Sequence, residues 1–246
     1  MPYVYDRRNR VWQVDVAAGT GPGGSMDVMP VANRTSPYWR LRRLVWALLH
    51  PTSIWRRTQR QRRRREQRDR LLSLLPKGGV CAEIGTWKGD FAATILSSRC
   101  PTQLYLVDPW EYRPEGEYEQ AWYGGDKHNK QEEMDAVHKS VVDRFRSEIE
   151  EGQVLVQRAR SVDAAASFSD ESLDWVYIDG DHNYEAVKRD LDAYFRIVKS
   201  GGFIAGDDYT RAGGWFGDAV MRAVDEFADR CADLTIIGTQ FLLKKP

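Results

Sequence analysis

Cysteine is scarce in this chain of 246 residues: Cys81, Cys100 and Cys231 make an odd count with no metal-ligand spacing. That leaves no disulfide framework or zinc ribbon and fits a reducing, cytoplasmic setting. Long apolar runs are absent too. The longest near the start is Leu44–Leu49, far short of the roughly 20 residues that cross a bilayer. Residues 1–25 lack the apolar stretch of a signal peptide, and Met26 reads as an alternative start. Internal repeats are missing, and net charge is zero, with 36 basic against 36 acidic residues. At 42% apolar content the chain can bury one substantial α/β core with an extension, but not two large domains.

What is present is a set of apolar runs that end in carboxylates. Trp175-Val-Tyr-Ile precedes Asp179-Gly-Asp181-His182, and Gly202-Phe-Ile-Ala-Gly206 precedes Asp207-Asp208-Tyr209. Val80-Cys-Ala-Glu83-Ile runs into Gly85-Thr86-Trp-Lys-Gly89 and then a helical pattern, and Leu104-Tyr-Leu-Val ends in Asp108. Such runs read as buried parallel strands, and ligands of an open α/β sheet bind beyond the carboxyl ends of its strands. The glycines lack both the dehydrogenase and the phosphate-loop spacing, and by themselves require only a tight turn and close helix packing. Asp108, however, follows Glu83 by 25 positions, close to the roughly 20-residue interval at which an acid meets a ribose hydroxyl. Four carboxyl-ended strands in order describe a nucleoside-binding half.

Over residues 70–246 these motifs resemble the class I S-adenosylmethionine-dependent methyltransferases. The resemblance rests on Glu83-Ile-Gly-Thr-Trp-Lys-Gly89, Leu106-Val-Asp108, Ile178-Asp-Gly-Asp-His182 and Gly201-Gly-Phe-Ile-Ala-Gly-Asp-Asp-Tyr209. It implies a Rossmann-like α/β fold whose seven-stranded, mostly parallel sheet ends in an antiparallel strand. It also implies S-adenosylmethionine flanked by Glu83, Gly85, Thr86, Gly89 and Asp179, its ribose on Asp108 and its adenine near Ser161. The narrower similarity is to the metal-dependent O-methyltransferases of catechols and sugars, which implies Mg²⁺ on Asp179, Asp207 and Asp208. Three hard oxygen ligands suit that ion. On neighbouring strands the two clusters would put several carboxylates close together with no evident Arg or Lys set among them, so they would repel unless a cation or proton relieves them.

Catechol-type relatives carry a lysine three positions after the first ligand, where this chain has His182. Neutral imidazole accepts a proton near pH 7, and a metal-bound hydroxyl needs no strong base. The adjacent Asp181 is the second candidate base. The acceptor is expected to be a hydroxyl of a sugar, glycolipid or small natural product.

Three segments complete the chain. Residues 1–36, with Ala18-Gly-Thr-Gly-Pro-Gly-Gly-Ser25, read as a flexible leader. Residues 37–70 read as a basic helical extension: an amphipathic stretch at 38–49, then a helix from Ser53 to Leu75. Between Arg34 and Arg70, thirteen arginines face only Glu66 and Asp69, a net charge of +11. An anionic membrane surface, nucleic acid phosphates, or docking on the catalytic domain or a second copy in a homo-oligomer are its alternative uses. The catalytic domain is expected over 71–246, with an unusually long connection from Pro109 to Gly152. It carries Trp110, Tyr112, Tyr118, Trp122, Tyr123, His128 and His138, either as a lid over an aromatic or sugar acceptor or to seat the loop. A helix over 215–230 and a closing hairpin at 234–243 end the chain. A nucleic acid methyltransferase and a non-catalytic nucleotide-binding scaffold are the rival readings.

Overall fold

A computed structural model describes residues 4–6, 11–13, 51–113, 123 and 130–246. The amphipathic stretch at 38–49, most of the leader, and Tyr118, Trp122 and His128 of the long connection lie outside the described residues. The chain divides after Ile54, inside the segment read as the basic extension. In the first unit, β1 (Val4–Asp6) and β2 (Val11–Gln13) pair antiparallel.

The second unit is built on a seven-stranded sheet. Its strands are β3 (Val80–Ile84), β4 (Gln103–Asp108), β5 (Val154–Arg158), β6 (Leu173–Ile178), β7 (Val198–Gly206), β8 (Asp233–Ile237) and β9 (Gln240–Lys244). They lie in the order β5-β4-β3-β6-β7-β9-β8. The first five in that order are parallel, and β9 runs antiparallel to both β7 and β8. The expected Rossmann-like α/β sheet with an antiparallel last strand is therefore present. Strand order reverses at β3, so the crevice beyond the ends of β3, β4 and β6 is where such a sheet takes ligands.

Both faces of the sheet are covered, which is why its central strands are mostly apolar. Along β6, Val176 and Ile178 join one buried cluster while Trp175 and Tyr177 join the other, the two-residue period of a strand. On the Val176 face, α6 (Tyr184–Ile197) and α7 (Ala219–Ala228) contribute Leu191, Tyr194, Val224 and Phe227. On the Trp175 face, α2 (Asp90–Arg99) and α3 (Gln131–Arg144) contribute Phe91, Ile95, Met134 and Val141. The same face takes the end of α1 (Pro51–Leu74), through Leu71 and Leu72, with Leu75 just beyond it. Each fully buried leucine contributes roughly 1.5–3 kcal/mol, enough to hold the helix end to the sheet.

Short α4 (Arg146–Glu150) and α5 (Ser161–Ala165) precede and follow β5. The last helix begins later than its apolar spacing suggests, at Ala219, because Gly213 and Gly217 close a turn in front of it through Gly213 N–H and Gly217 O at 2.8 Å. Within the long connection Trp110 is fully buried; its indole N–H donates to Trp87 O at 2.8 Å and its ring lies 4.7 Å from that of His138. These two residues seat the connection. Among the described residues, no helix is long and apolar enough to cross a membrane.

Candidate active site

Every expected site residue except Ser161 and Asp108 lies on the β3, β6 or β7 side of the reversal. Gly85 follows β3 with φ 91°, and a Cβ there would collide with the Asp179 carbonyl oxygen after β6. Its bare backbone thus lets two strand ends approach each other. Gly89 precedes α2 with φ 72°, and an added Cβ would stand 2.7 Å from the Phe145 ring. Both glycines are explained by chain packing around the turn. Two neighbours are not: Glu83 Oε2 and Thr86 Oγ1 are buried with no hydrogen-bond partner among the described residues. Burial pushes the Glu83 carboxyl well above its usual range, against the pull of Arg68. Unmatched buried polar atoms are costly, and a ligand with donor groups would relieve them.

Asp108, at the end of β4, is 2% exposed. It accepts the N–H groups of Trp87 at 2.8 Å and Trp110 at 2.7 Å, and the hydroxyl of Tyr123. The carboxylate expected to meet a ribose is thus already met by a hydroxyl of the long connection. Ser161, the first residue of α5, spends its hydroxyl on buried Asp190, and its carbonyl accepts the Tyr194 hydroxyl at 3.0 Å.

Beyond β6 and β7 the carboxylates converge, and here one expectation is corrected. Arginines do stand among them, delivered by α1. Arg68 Nη2 lies 2.5 Å from Asp179 Oδ2 and 2.9 Å from Asp207 Oδ2. Arg64 Nη2 lies 2.7 Å from Asp207 Oδ2 and 3.4 Å from Asp208 Oδ2. Asp207 Oδ1 accepts the Thr239 hydroxyl and the Asp208 N–H, both at 2.7 Å. Burial favours the neutral acid, but Arg64 and Arg68 pull the Asp207 carboxyl down to about 2. Sequence reading missed these arginines because they lie more than a hundred residues from their partners. Their spacing was a signal: Arg64 and Arg68 share a helix face with Leu71, Leu72 and Leu75, which dock on the sheet.

His182 Nε2 lies 2.8 Å from Asp208 Oδ2 and 3.6 Å from Asp179 Oδ1. Burial lowers its pKa, but the two carboxylates outweigh that and hold the imidazolium up to about 10. A ring already protonated at pH 7 is a poor base. It stacks on Phe216 at 4.7 Å, and Trp215 meets it edge-on at 6.3 Å. Asp181 Oδ1 accepts the Asn183 N–H at 2.9 Å, and its Oδ2 lies 3.9 Å from Arg113.

Do these residues fit Mg²⁺? Ligand atoms of Asp179, His182 and Asp208 lie within 4.8 Å of one another. Asp207, the expected third ligand, is not in that group, and both its oxygens are engaged. Asp179, Asp207 and Asp208 each face a guanidinium group of Arg64 or Arg68, and His182 stands beside Asp208. The three-aspartate cage inferred from the sequence fits guanidinium groups and does not fit a divalent ion.

A family model described as a methyltransferase domain matches residues 82–209, just over half the chain and a span that includes every site residue above from Glu83 to Asp208. The uncharacterized protein R132 of Acanthamoeba polyphaga mimivirus is 46% identical over 37 residues, which cover 15% of this chain and 17% of that protein. Among solved structures, the N-methyltransferase NodS from Bradyrhizobium japonicum is similar at 13% identity and TM-score 0.48, covering 75% of this chain and 97% of that one. An rRNA methylase from Streptococcus thermophilus is similar at 12% identity and TM-score 0.46, covering 72% and 93%. Spermidine synthase from Thermotoga maritima is similar at 14% identity and TM-score 0.45, covering 71% of this chain and 56% of that one.

Proposed function

The chain belongs to the methyltransferase-domain family and is an S-adenosylmethionine-dependent methyltransferase; from that premise we propose that it methylates a hydroxyl of a sugar, glycolipid or small natural product. One observation carries the choice of acceptor. Beyond β6 and β7, the Asp208 carboxylate lies 2.8 Å from the ring of His182, which stacks on Phe216 and meets Trp215 edge-on. Flat apolar faces edged by hydrogen-bond acceptors suit a molecule that is itself a flat apolar patch edged by hydroxyls.

On the cofactor side, Glu83 Oε2 and Thr86 Oγ1 would hold the amino end of the methionine moiety, which supplies the donors they lack. Asp108 would take the ribose hydroxyls in place of Tyr123. When bound, S-adenosylmethionine would supply a sulfonium methyl for the acceptor oxygen, and Asp181 would take the acceptor's proton. Of the two candidate bases, Asp181 is preferred because Asp179 and Asp208 hold His182 protonated. Positioning of the two reactants supplies most of the rate in such a site.

Calorimetric titration of S-adenosylmethionine into the full chain is the test, followed by methyl-transfer assays on sugar and phenol panels. Saturable binding that weakens about tenfold in Glu83→Gln, roughly 1.4 kcal/mol, is expected. Transfer to hydroxyl acceptors should then fall sharply in Asp181→Asn. Absence of binding would overturn the cofactor assignment, and transfer only to amines would overturn the acceptor class.

A further inference from the structure

Three aspartates gathered at two strand ends repel one another unless countercharge lies among them. Here the countercharge is covalently part of the chain. Arg68 bridges Asp179 and Asp207 at 2.5 and 2.9 Å, and Arg64 bridges Asp207 and Asp208 at 2.7 and 3.4 Å. Arg68 is also held from behind, its guanidinium carbon 4.8 Å from the centre of the Phe91 ring. The Asp207 side chain that receives both arginines is fully buried, and its other oxygen is occupied by Thr239 and the Asp208 N–H.

We propose that Arg64 and Arg68 are built-in cations that take the place of a divalent metal at the carboxyl ends of β6 and β7, so that methyl transfer here needs no metal. The inference deepens the proposed reading of the same site and rests on it for the chemistry the cations serve. The geometry points to it in two ways. Asp207 has no oxygen left to offer an ion, and Asp179 and Asp208 each already face a guanidinium group, of Arg68 and Arg64 respectively. Planar guanidinium forks hold carboxylates in a fixed geometry through charge-assisted hydrogen bonds, as a metal would by coordination. They do not acidify a bound hydroxyl as a metal does, which makes the proton acceptor Asp181 necessary. Arg64 and Arg68 are positioning residues: they hold three carboxylates in one arrangement.

The test is titration of the full chain with Mn²⁺, followed by electron paramagnetic resonance, without cofactor or acceptor. The wild type is expected to leave the free-ion spectrum unchanged up to about millimolar Mn²⁺. Arg64→Gln/Arg68→Gln is expected to bind Mn²⁺ at least about tenfold more tightly, because it leaves the carboxylates uncompensated. Arg64→Gln alone, at a side chain 46% exposed, should show part of that gain and serves if circular dichroism finds the double variant unfolded. Saturable micromolar binding by the wild type that Asp208→Asn abolishes would overturn the inference, as would no gain in either variant. The titration involves no methyl transfer, so its failure and the failure of the proposed reaction are distinguishable.

Discussion

Asp190 carries a carboxyl that the fold keeps from water. It sits on the inner face of α6 with Val187, Leu191 and Tyr194, 2% exposed, and receives the Ser161 hydroxyl. Burial pushes its pKa up to about 7, against the pull of the Ser161 hydrogen bond. Between pH 3.8, its ordinary value, and about 7 the folded chain keeps a proton that the unfolded chain releases. Its contribution to stability is therefore complete below the unfolded pKa and is lost as pH rises through that window, by about 4 kcal/mol. Asp190→Asn, which keeps an oxygen for Ser161, should flatten the fall in urea midpoint between about pH 4.5 and about pH 7.5; an unchanged slope would show that another group titrates there. Helical spacing made this burial legible, since position 190 falls in step with 186, 187, 191 and 194. The missing countercharge was not legible, because it depends on what packs opposite.

Two elements behave differently from their local sequence. Most of α1 has the composition of a solvated helix, with Arg60, Arg62, Arg63 and Arg65 all exposed. Only its last turn is apolar, yet ion pairs from Arg64 and Arg68 extend its attachment towards the middle of the helix. An arginine reads as surface in sequence because its burial requires a partner, and the partner here comes from a distant strand end. The connection after β4 is the second case. Its Tyr123 hydroxyl occupies Asp108, so a cofactor ribose bound there, as proposed, would compete with the loop for one carboxylate. Tyr123→Phe removes the competitor and should tighten S-adenosylmethionine binding about 5- to 10-fold by calorimetry, the size of one ordinary hydrogen bond. Unchanged affinity would separate Asp108 from the ribose site.

At the scale of the whole molecule, residues from Trp55 onward form a compact unit with a buried cluster on each face of one sheet. A fragment beginning at Pro51, which retains all of α1, should fold with the far-ultraviolet dichroism of an α/β domain and unfold cooperatively in heat. A fragment that melts without a transition would show that the first 50 residues are needed for the fold. Apolar runs of strand length, each closed by a carboxylate or a glycine, determined the parallel sheet, its order of chemistry and the converging site, because strand period and turn chemistry are local properties of the chain. Which charges balance those carboxylates was decided only in the tertiary structure. Arg64 reaches Asp207 and Arg68 reaches Asp179 across more than a hundred residues, and charge pairing depends on distance in space, where sequence separation carries no information.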